Sequence, residues 1–193
     1  RDSSTSRGLG DVYKRQEYNV EYKTSYSIVE DCVQGSVAMS TVVQNEESDY
    51  DIDAAIVLDK SDLGDKGTQS TRNMVANALR RKTKQFNAEP EVKTSCVRVK
   101  YADGYHIDFA VYRRSYDSVN EEWIYEHAGS EWTSRELRGL TDWFKTQNDN
   151  SNGKLRKVVR LSKMFCKSRS SWKNMPSGLL QTVLCDETLQ DSY

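Results

Sequence analysis

The chain has 193 residues, of which 36% are hydrophobic and 30% are charged, and its formal net charge is −1. A chain of this length can bury about two-thirds of its unfolded surface, in one large domain or two small ones. No stretch approaches the ~20 apolar residues of a membrane span, and the charge gives no general attraction to nucleic acid. We therefore expect no membrane partner and no strong nucleic-acid partner.

The four cysteines are far apart in sequence and form no C-x-x-C pair, and two histidines are too few for a zinc-type ligand cluster. We interpret the cysteines as small buried thiols in a reducing cytosol. No apolar segment of a secretory signal is visible at the N-terminus. The sequence therefore predicts a cytoplasmic protein.

Composition divides the chain into three segments. Residues 1–16 have no periodic apolar pattern and are typical of a translated cloning or sequencing adaptor, so we predict that they are not native. Residues 17–150 are predicted to be the main domain. The polar residues 147–153 mark a hinge before residues 151–193, which we interpret as the start of a helical domain that is truncated.

The first elements surround a Gly-Ser turn. Four residues at helical spacing predict a helix in 17–32: Tyr18, Tyr22, Tyr26 and Val29. In the turn, Gly35 allows a ligand close to the backbone and Ser36 offers a hydroxyl. A short helix through Met39 would direct its N–H groups at an anion. A polar loop at 45–49 then leads into a strand at 51–59.

Asp51 and Asp53 lie at the start of that strand. Strand side chains alternate with period two, so both carboxylates point the same way. Two adjacent carboxylates repel each other unless a cation neutralises them, and hard oxygen ligands select Mg²⁺ or Mn²⁺. An isolated Asp-x-Asp is more often a solvated strand entrance, so the rest of the chain decides between the two interpretations.

A glycine-containing loop at 60–67 precedes a helix that begins at Thr68 or Ser70 and ends before Pro90. The helix has one apolar stripe and carries its basic residues largely on the exposed side. We expect this helix to pack on the sheet through residues Met74, Val75, Ala78, Leu79 and Phe86.

Strands are predicted at 94–102 and 105–112, and Asp103-Gly104 between them indicates a type I′ hairpin turn of two residues. Asp108 lies in an otherwise apolar or aromatic strand. A carboxylate there costs free energy unless it is paired, solvated or bound to metal. His106 shares its face, and we assign His106 a structural or substrate-edge role.

The aromatic and acidic residues 113–145 predict one or two helices packed on the sheet. Further helices are predicted at 154–167 and 179–189. The helix at 154–167 has one face with four basic residues, which is either a solvated face or a wall for a triphosphate. These residues are Arg156, Arg160, Lys163 and Lys167.

A phosphate turn, three carboxylates and a basic helix together fit phosphoryl transfer. Asp51, Asp53 and Asp108 could converge from neighbouring strands on two divalent ions. A pair of metal ions stabilises both the attacking and the leaving oxygen of an in-line displacement. The remaining work in such chemistry is positioning and charge neutralisation.

The motifs Gly35-Ser36-x-x-x-x-Thr41, Asp51-Ile52-Asp53 and His106-Ile107-Asp108 resemble the polymerase-β-type nucleotidyltransferase signature. Further features narrow the resemblance to the bacterial cGAS/DncV-like nucleotidyltransferases: Gln34-Gly35-Ser36 and its spacing to Asp51, residues 131–144, and residues 155–165 followed by 175–179. The resemblance covers residues 17–189. It implies an α+β fold with a mixed sheet, in which a polymerase-β-like nucleotidyltransferase core precedes a C-terminal helical domain.

The resemblance also implies roles for six residues. Gly35, Ser36 and Lys163 would bind the triphosphate of the donor nucleotide. Asp51 and Asp53 would hold two Mg²⁺ or Mn²⁺ ions. Asp108 would hold the catalytic ion and help to deprotonate the attacking ribose hydroxyl.

The activity implied is the use of ATP, GTP or other NTPs to make a cyclic di- or trinucleotide, with release of pyrophosphate. Such products activate a downstream effector protein in anti-phage defence. The residues leave two alternatives open. One is a nucleotidyltransferase that modifies an antibiotic, a tRNA end or a protein. The other is a non-catalytic nucleotide-binding module.

Overall fold

The structure is a computed structural model that describes residues 26–43, 51–83, 89–101, 105–169 and 171–190. These residues form two compact units. The first unit holds the described residues of 26–32, 54–101 and 106–137, and the second those of 33–53, 105 and 138–190. The predicted adaptor segment and the polar loop at 45–49 lie outside the described residues.

Strands and helices occur in both halves of the chain, and the α+β fold class is confirmed. The strands are β1 (Ile28–Gln34), β2 (Asp51–Asp59), β3 (Glu91–Val92), β4 (Val97–Lys100), β5 (His106–Asp117), β6 (Glu122–Ala128) and β7 (Trp132–Ser134). The helices are α1 (Gly35–Ala38), α2 (Lys60–Leu63), α3 (Thr68–Thr83), α4 (Gly139–Asn150), α5 (Lys154–Lys167) and α6 (Gly178–Gln190).

The described strands form one seven-stranded sheet in the order β1–β2–β5–β4–β3, with β6 added to β5 and β7 to β6. Strand β5 pairs antiparallel with β4 along its first part and with β6 along its second part. Strand β2 lies between β1 and β5, so both of its edges are paired, and residues on both of its faces are buried. Ile56 and Leu58 belong to one apolar cluster and Ala55 and Val57 to another.

The core of the first unit comes from helix α3 packed on the sheet. Met74, Val75 and Leu79 of α3 contact a cluster that includes Val97 and Val111, which are fully buried. Burial of each such side chain stabilises the fold by about 1.5–3 kcal/mol. Three residues of the predicted packing stripe are therefore confirmed. Ala78 is not part of the cluster, Ala76 is buried in it instead, and Phe86 lies outside the described residues.

The second unit has its own smaller core. Met39 packs with Phe144 of α4 and with Leu155 and Val159 of α5, and all four are buried. Met39 directly follows the Gly-Ser turn, so this cluster ties the turn to the helices. No helix in the described ranges is both long and apolar enough to cross a membrane.

Several predicted elements are confirmed. Strand β2 has the bounds predicted for it, α1 follows the Gly-Ser turn, and α5 and α6 occupy the two predicted C-terminal helices. All four cysteines are free. The division of the chain at residue 150 stays a prediction.

Two predictions in the first half are wrong. A helix was predicted in 17–32, but the described end of that segment is strand β1. Ile28, Val29 and Val33 suit a sheet edge beside β2, and this tertiary pairing overrides a short helical spacing. The loop predicted at 60–67 begins with helix α2. Asp59 caps that helix by accepting a hydrogen bond from Ser61 N at 2.9 Å.

The helices predicted in 113–145 are wrong over most of that segment. Residues up to Ser134 form the end of β5 and strands β6 and β7, and only α4, from Gly139, is helical. Aromatic pairs across the hairpin, such as Tyr116 with Trp123, stabilise the strands instead. A hinge was predicted at residues 147–153, but helix α4 runs through 147–150. Only residues 151–153 of the predicted hinge form a turn.

Candidate functional site

The Gly-Ser turn is closed by its own backbone. Gly35 has φ +60° and Ser40 has φ +55°, so the chain reverses at both ends of α1. Met39 N donates to Gly35 O at 3.1 Å, and Thr41 N donates to Ser36 O at 2.8 Å. Because helix α1 is a single turn, its dipole contributes little to the attraction of an anion. The backbone conformation of the turn matters more for such a ligand.

Gly35 lies directly against Asp53. A Cβ atom at position 35 would lie 3.0 Å from Cγ of Asp53 and would overlap its carboxylate oxygen. The positive φ independently favours glycine. The turn and the start of β2 are therefore packed so tightly that residue 35 can carry no side chain.

A cavity of about 710 Å³ opens beside this contact, and all its lining residues belong to the second unit. This volume is in the range of small-molecule sites in proteins. Five of the six residues predicted from the sequence line the cavity: Gly35, Ser36, Asp51, Asp53 and Lys163.

Basic side chains of α5 hold the segment that leaves the turn. Arg156 Nε donates to Met39 O at 3.3 Å, and Lys167 Nζ donates to Val43 O at 3.0 Å. Lys163 Nζ lies between them and donates to Thr41 Oγ1 at 3.1 Å and to Thr41 O at 3.5 Å. Three basic side chains of α5 thus hold the backbone that follows the Gly-Ser turn. The sequence did not indicate this role.

Lys163 is half-buried beside the cavity. Burial lowers the pKa of its ammonium group, and the charge of Lys167 lowers it further. A Cβ atom at Gly178 would lie 3.3 Å from Cε of Lys163, so the start of α6 also fits closely around this side chain. Lys163 is therefore a constrained cation at the cavity wall.

Asp108, the sixth predicted residue, lies in β5 of the first unit and is not among the residues that line the cavity. Arg98 Nε donates to Asp108 Oδ1 at 2.7 Å, and Arg98 Nη2 donates to Asp108 Oδ2 at 2.6 Å. Burial acts to raise the pKa of Asp108, but these bonds and the charge of Arg98 outweigh it and lower the pKa.

Sequence reasoning missed Arg98. In the β4–β5 register Arg98 lies opposite Asp108, and Lys100 lies opposite His106. The antiparallel pairing of the two predicted strands is confirmed. The predicted turn at Asp103-Gly104 lies outside the described residues. With the observed register, the pattern of β4 would have identified Arg98 as the partner of Asp108.

Within the ranges that the structure describes, no group of three or more His, Cys, Asp and Glu side chains is close enough to hold a metal ion. Asp51 and Asp53 nevertheless fit a divalent ion, since their hard carboxylate oxygens line one cavity from one strand. Both oxygens of Asp108 are engaged by Arg98. The predicted set of three metal ligands stays a prediction.

The fold is similar to those of two solved proteins, DncV and CdnC. One similar structure is the Vibrio cholerae DncV cyclic AMP-GMP synthase in complex with the linear intermediate 5′ pppA(3′,5′)pG, at 20% identity and a TM-score of 0.67. That alignment covers 83% of this chain and 47% of DncV. A second is CdnC of E. coli MS115-1 with ATP, at 16% identity and a TM-score of 0.67, over 97% of this chain and 58% of CdnC.

Residues 30–112 match the family model for the nucleotidyltransferase domain of "Cyclic GMP-AMP synthase DncV-like" proteins. This match and the shared fold agree with the resemblance to the bacterial cGAS/DncV-like nucleotidyltransferases that the sequence motifs indicated. The matched segment contains Gly35, Ser36 and all three aspartates. The chain spans about half the length of the solved structures it resembles.

Proposed function

We propose that this chain is the catalytic part of a nucleotidyltransferase that makes a cyclic di- or trinucleotide from NTPs and releases pyrophosphate. The observation that carries the proposal is the cavity of the second unit, where a phosphate-type turn, two carboxylates and a half-buried lysine meet. Similar structures support NTPs as substrates, because DncV is described in complex with ATP and GTP and CdnC with ATP.

The turn and Lys163 would receive the triphosphate of the donor. Backbone N–H groups and the Ser36 hydroxyl are donors that suit phosphate oxygens, and Gly35 adds no side chain to block their approach. Lys163 supplies a positive charge at the wall of the same cavity. These residues bind and orient the donor, and orientation is a large part of catalysis in phosphoryl transfer.

Asp51 and Asp53 would hold Mg²⁺ or Mn²⁺ through their carboxylate oxygens, with two ions as the expected number. When bound, such ions neutralise charge on the reacting phosphate and its leaving oxygen. Gly35 fixes the position of Asp53, because the turn backbone packs against that carboxylate.

Asp108 would be the third carboxylate of the site and would accept the proton of the attacking ribose hydroxyl. To do so, it must first part from Arg98, which holds both of its oxygens. Separation from the guanidinium also removes the interaction that lowers its pKa, and this makes Asp108 a better base.

The wider role of the product is proposed on the family resemblance alone. We propose a cytoplasmic protein whose cyclic product activates a downstream effector protein in anti-phage defence.

The test is turnover of labelled NTPs with Mg²⁺ and no other acceptor, using the 193-residue chain. We expect a phosphatase-resistant cyclic product, and we expect Asp51→Asn with Asp53→Asn to abolish NTP consumption while the chain stays folded. The matched control is Asp62→Asn with Asp65→Asn, which removes the same charge from two exposed positions of the first unit.

Three outcomes would contradict the proposal. One is turnover by the Asp51/Asp53 variant at the parent rate, which would remove the two carboxylates from the mechanism. Another is the absence of any NTP consumption by the parent chain. The third is label that appears only on added antibiotic, RNA or protein, since this would indicate a nucleotidyltransferase with another acceptor.

A further inference from the structure

The turn between β5 and β6 is ordered and exposed. The Asp117 carboxylate accepts hydrogen bonds from Val119 N and from Asn120 Nδ2, each at 2.9 Å, and so fixes the residues that follow it. Glu121 has φ +54°, which completes the reversal of the chain. Val119 is 87% exposed at this turn. Because the turn is already ordered, it can present side chains to a partner at little cost in conformational entropy.

An aromatic pair flanks this turn. Tyr116 and Trp123 lie opposite each other on β5 and β6, and their rings meet edge to face with centroids 5.2 Å apart. Both side chains are exposed. The guanidinium of Arg114 lies 4.1 Å from the centre of the Trp123 ring and restricts that ring on its inner side. Tyrosine and tryptophan are among the residue types that contribute most binding energy at protein interfaces.

The end of the hairpin, defined as residues 116–123, carries only negative charge. It contains three carboxylates, those of Asp117, Glu121 and Glu122, and no lysine or arginine. Glu121 and Glu122 are exposed. A protein surface that fits the hairpin end must therefore offer basic side chains around an apolar centre.

Helix α5, in the second unit, carries such a surface. Leu161, Met164 and Phe165 are exposed apolar side chains at spacings of three and four residues, so they share one helix face. Lys157 and Arg160 are exposed on the same face, one turn before them. Helix α5 contains no acidic residue. These five side chains form what we name the basic apolar face of α5.

Charge determines which of these surfaces can pair. Two hairpin ends would place carboxylates against carboxylates, and two basic apolar faces would place cations against cations, so each surface repels a copy of itself. A hairpin end against a basic apolar face pairs opposite charges and covers apolar side chains on both sides. Exposed apolar patches with a polar rim are typical of protein interaction sites. The favoured contact is therefore heterologous, since the two copies use different surfaces.

We propose that the hairpin end of one copy of this chain docks on the basic apolar face of α5 in a second copy, so that copies associate head to tail. The apolar side chains of the two surfaces cover each other, and Glu121 and Glu122 face Lys157 and Arg160. None of the residues in either surface lines the cavity proposed to bind NTPs, so the association does not depend on the proposed function. Because both surfaces are small, the association is weak and depends on protein concentration.

The experiment is sedimentation velocity of the 193-residue chain at rising protein concentration and low salt. We expect the mean sedimentation coefficient to rise with concentration, and high salt to oppose this rise by screening the charges. Glu121→Lys with Glu122→Lys should weaken the association at least about tenfold, because like charges then face each other across the contact. Lys157→Glu with Arg160→Glu should do the same.

A variant that carries all four charge reversals has opposite charges across the contact again and should regain most of the association. The matched control is Asp62→Lys with Asp65→Lys, which reverses two exposed charges elsewhere in the first unit and should associate like the parent. Circular dichroism of each variant checks that the fold is retained.

The proposal is overturned if the parent stays monomeric at every concentration, or if the Glu121/Glu122 variant associates like the parent. It is also overturned if the variant with four reversals associates no better than either pair of reversals alone. An equal loss in the Asp62/Asp65 control would show that net charge, and not this contact, governs the association.

Discussion

Asp53 and Asp108 lie on neighbouring strands of one sheet, yet their surroundings are opposite. Asp108 belongs to the first unit and is neutralised there by two hydrogen bonds from Arg98. Asp53 belongs to the second unit, packs against a residue without a side chain, and lines a cavity. One carboxylate is thus neutralised by a neighbouring cation, whereas the other borders a cavity and has a glycine beside it.

Filling the space beside Asp53 should have a large effect on turnover. Gly35→Ala places a methyl group against the Asp53 carboxylate and forces a left-handed residue to carry a side chain. We expect a loss of about 10²-fold in NTP turnover, since displacements near 1 Å in a catalytic site have effects of that size. Steady-state assays with labelled ATP measure it.

Gly67→Ala is the matched control, because a Cβ atom at Gly67 meets nothing within 4 Å. This variant should keep parent turnover. Equal losses in both glycine variants, or none in Gly35→Ala, would show that the contact with Asp53 has no part in the reaction.

Removal of the Arg98 cation that holds Asp108 should destabilise the fold. Arg98→Met leaves a carboxylate whose side chain is only 16% exposed without its main partner. We expect a loss of about 1–3 kcal/mol in the free energy of unfolding at pH 7. Urea denaturation followed by fluorescence measures it. Lys100→Met is the control, because Lys100 lies on the same strand in an exposed ion pair, worth about 0–1 kcal/mol.

The same variant has a pH dependence with a defined sign. Arg98 holds the pKa of Asp108 below its ordinary value of 3.8, so the ion pair stabilises the fold fully above that pH. This stabilisation is lost as the pH falls through the lowered pKa, since Asp108 then takes up a proton. The difference between parent and Arg98→Met should therefore narrow below pH 3.8. A gap that stays constant down to pH 3 would contradict the ion-pair explanation.

Relief of backbone strain, at one residue in each unit, should change the free energy of unfolding only slightly. Ser40 in the second unit has φ +55° and Glu121 in the first has φ +54°. Replacement of either by glycine should raise the free energy of unfolding by about 0.5 kcal/mol, because relief of left-handed strain slightly exceeds the entropy cost of glycine. Urea denaturation of the two variants measures it.

The two glycine variants should differ in turnover. Of the two residues, only Ser40 lies beside the Gly-Ser turn. Ser40→Gly should therefore reduce turnover by loosening that turn, whereas Glu121→Gly should not. Equal turnover in both variants would show that the conformation of Ser40 has no functional value.

The second unit was largely predictable because its signals are local. The spacing of Asp51 and Asp53 and the period of α5 depend only on neighbouring residues, and both elements have the predicted bounds. Phe165 of α5, however, is 49% exposed, and its ring meets Trp172 and Arg169 instead of a buried core.

The first unit was less predictable because its features depend on partners distant in sequence. Strand β6 is stable as a neighbour of β5, and its residues alone did not separate strand from helix. The residue opposite Asp108 depends on the register between β4 and β5, and one residue more or less between these strands would change that register. Both errors arose where pairing across a hairpin, rather than local spacing, decides the structure.

The anchors between α5 and the turn also set an order of events during synthesis. Arg156, Lys163 and Lys167 bond to carbonyls of Met39, Thr41 and Val43, which precede them by more than 110 residues. On the ribosome, the strands can pair while α5 is still unmade. The Gly-Ser turn gains its anchors only after residue 167 has emerged, so a nascent chain acquires its sheet before this turn is held in place.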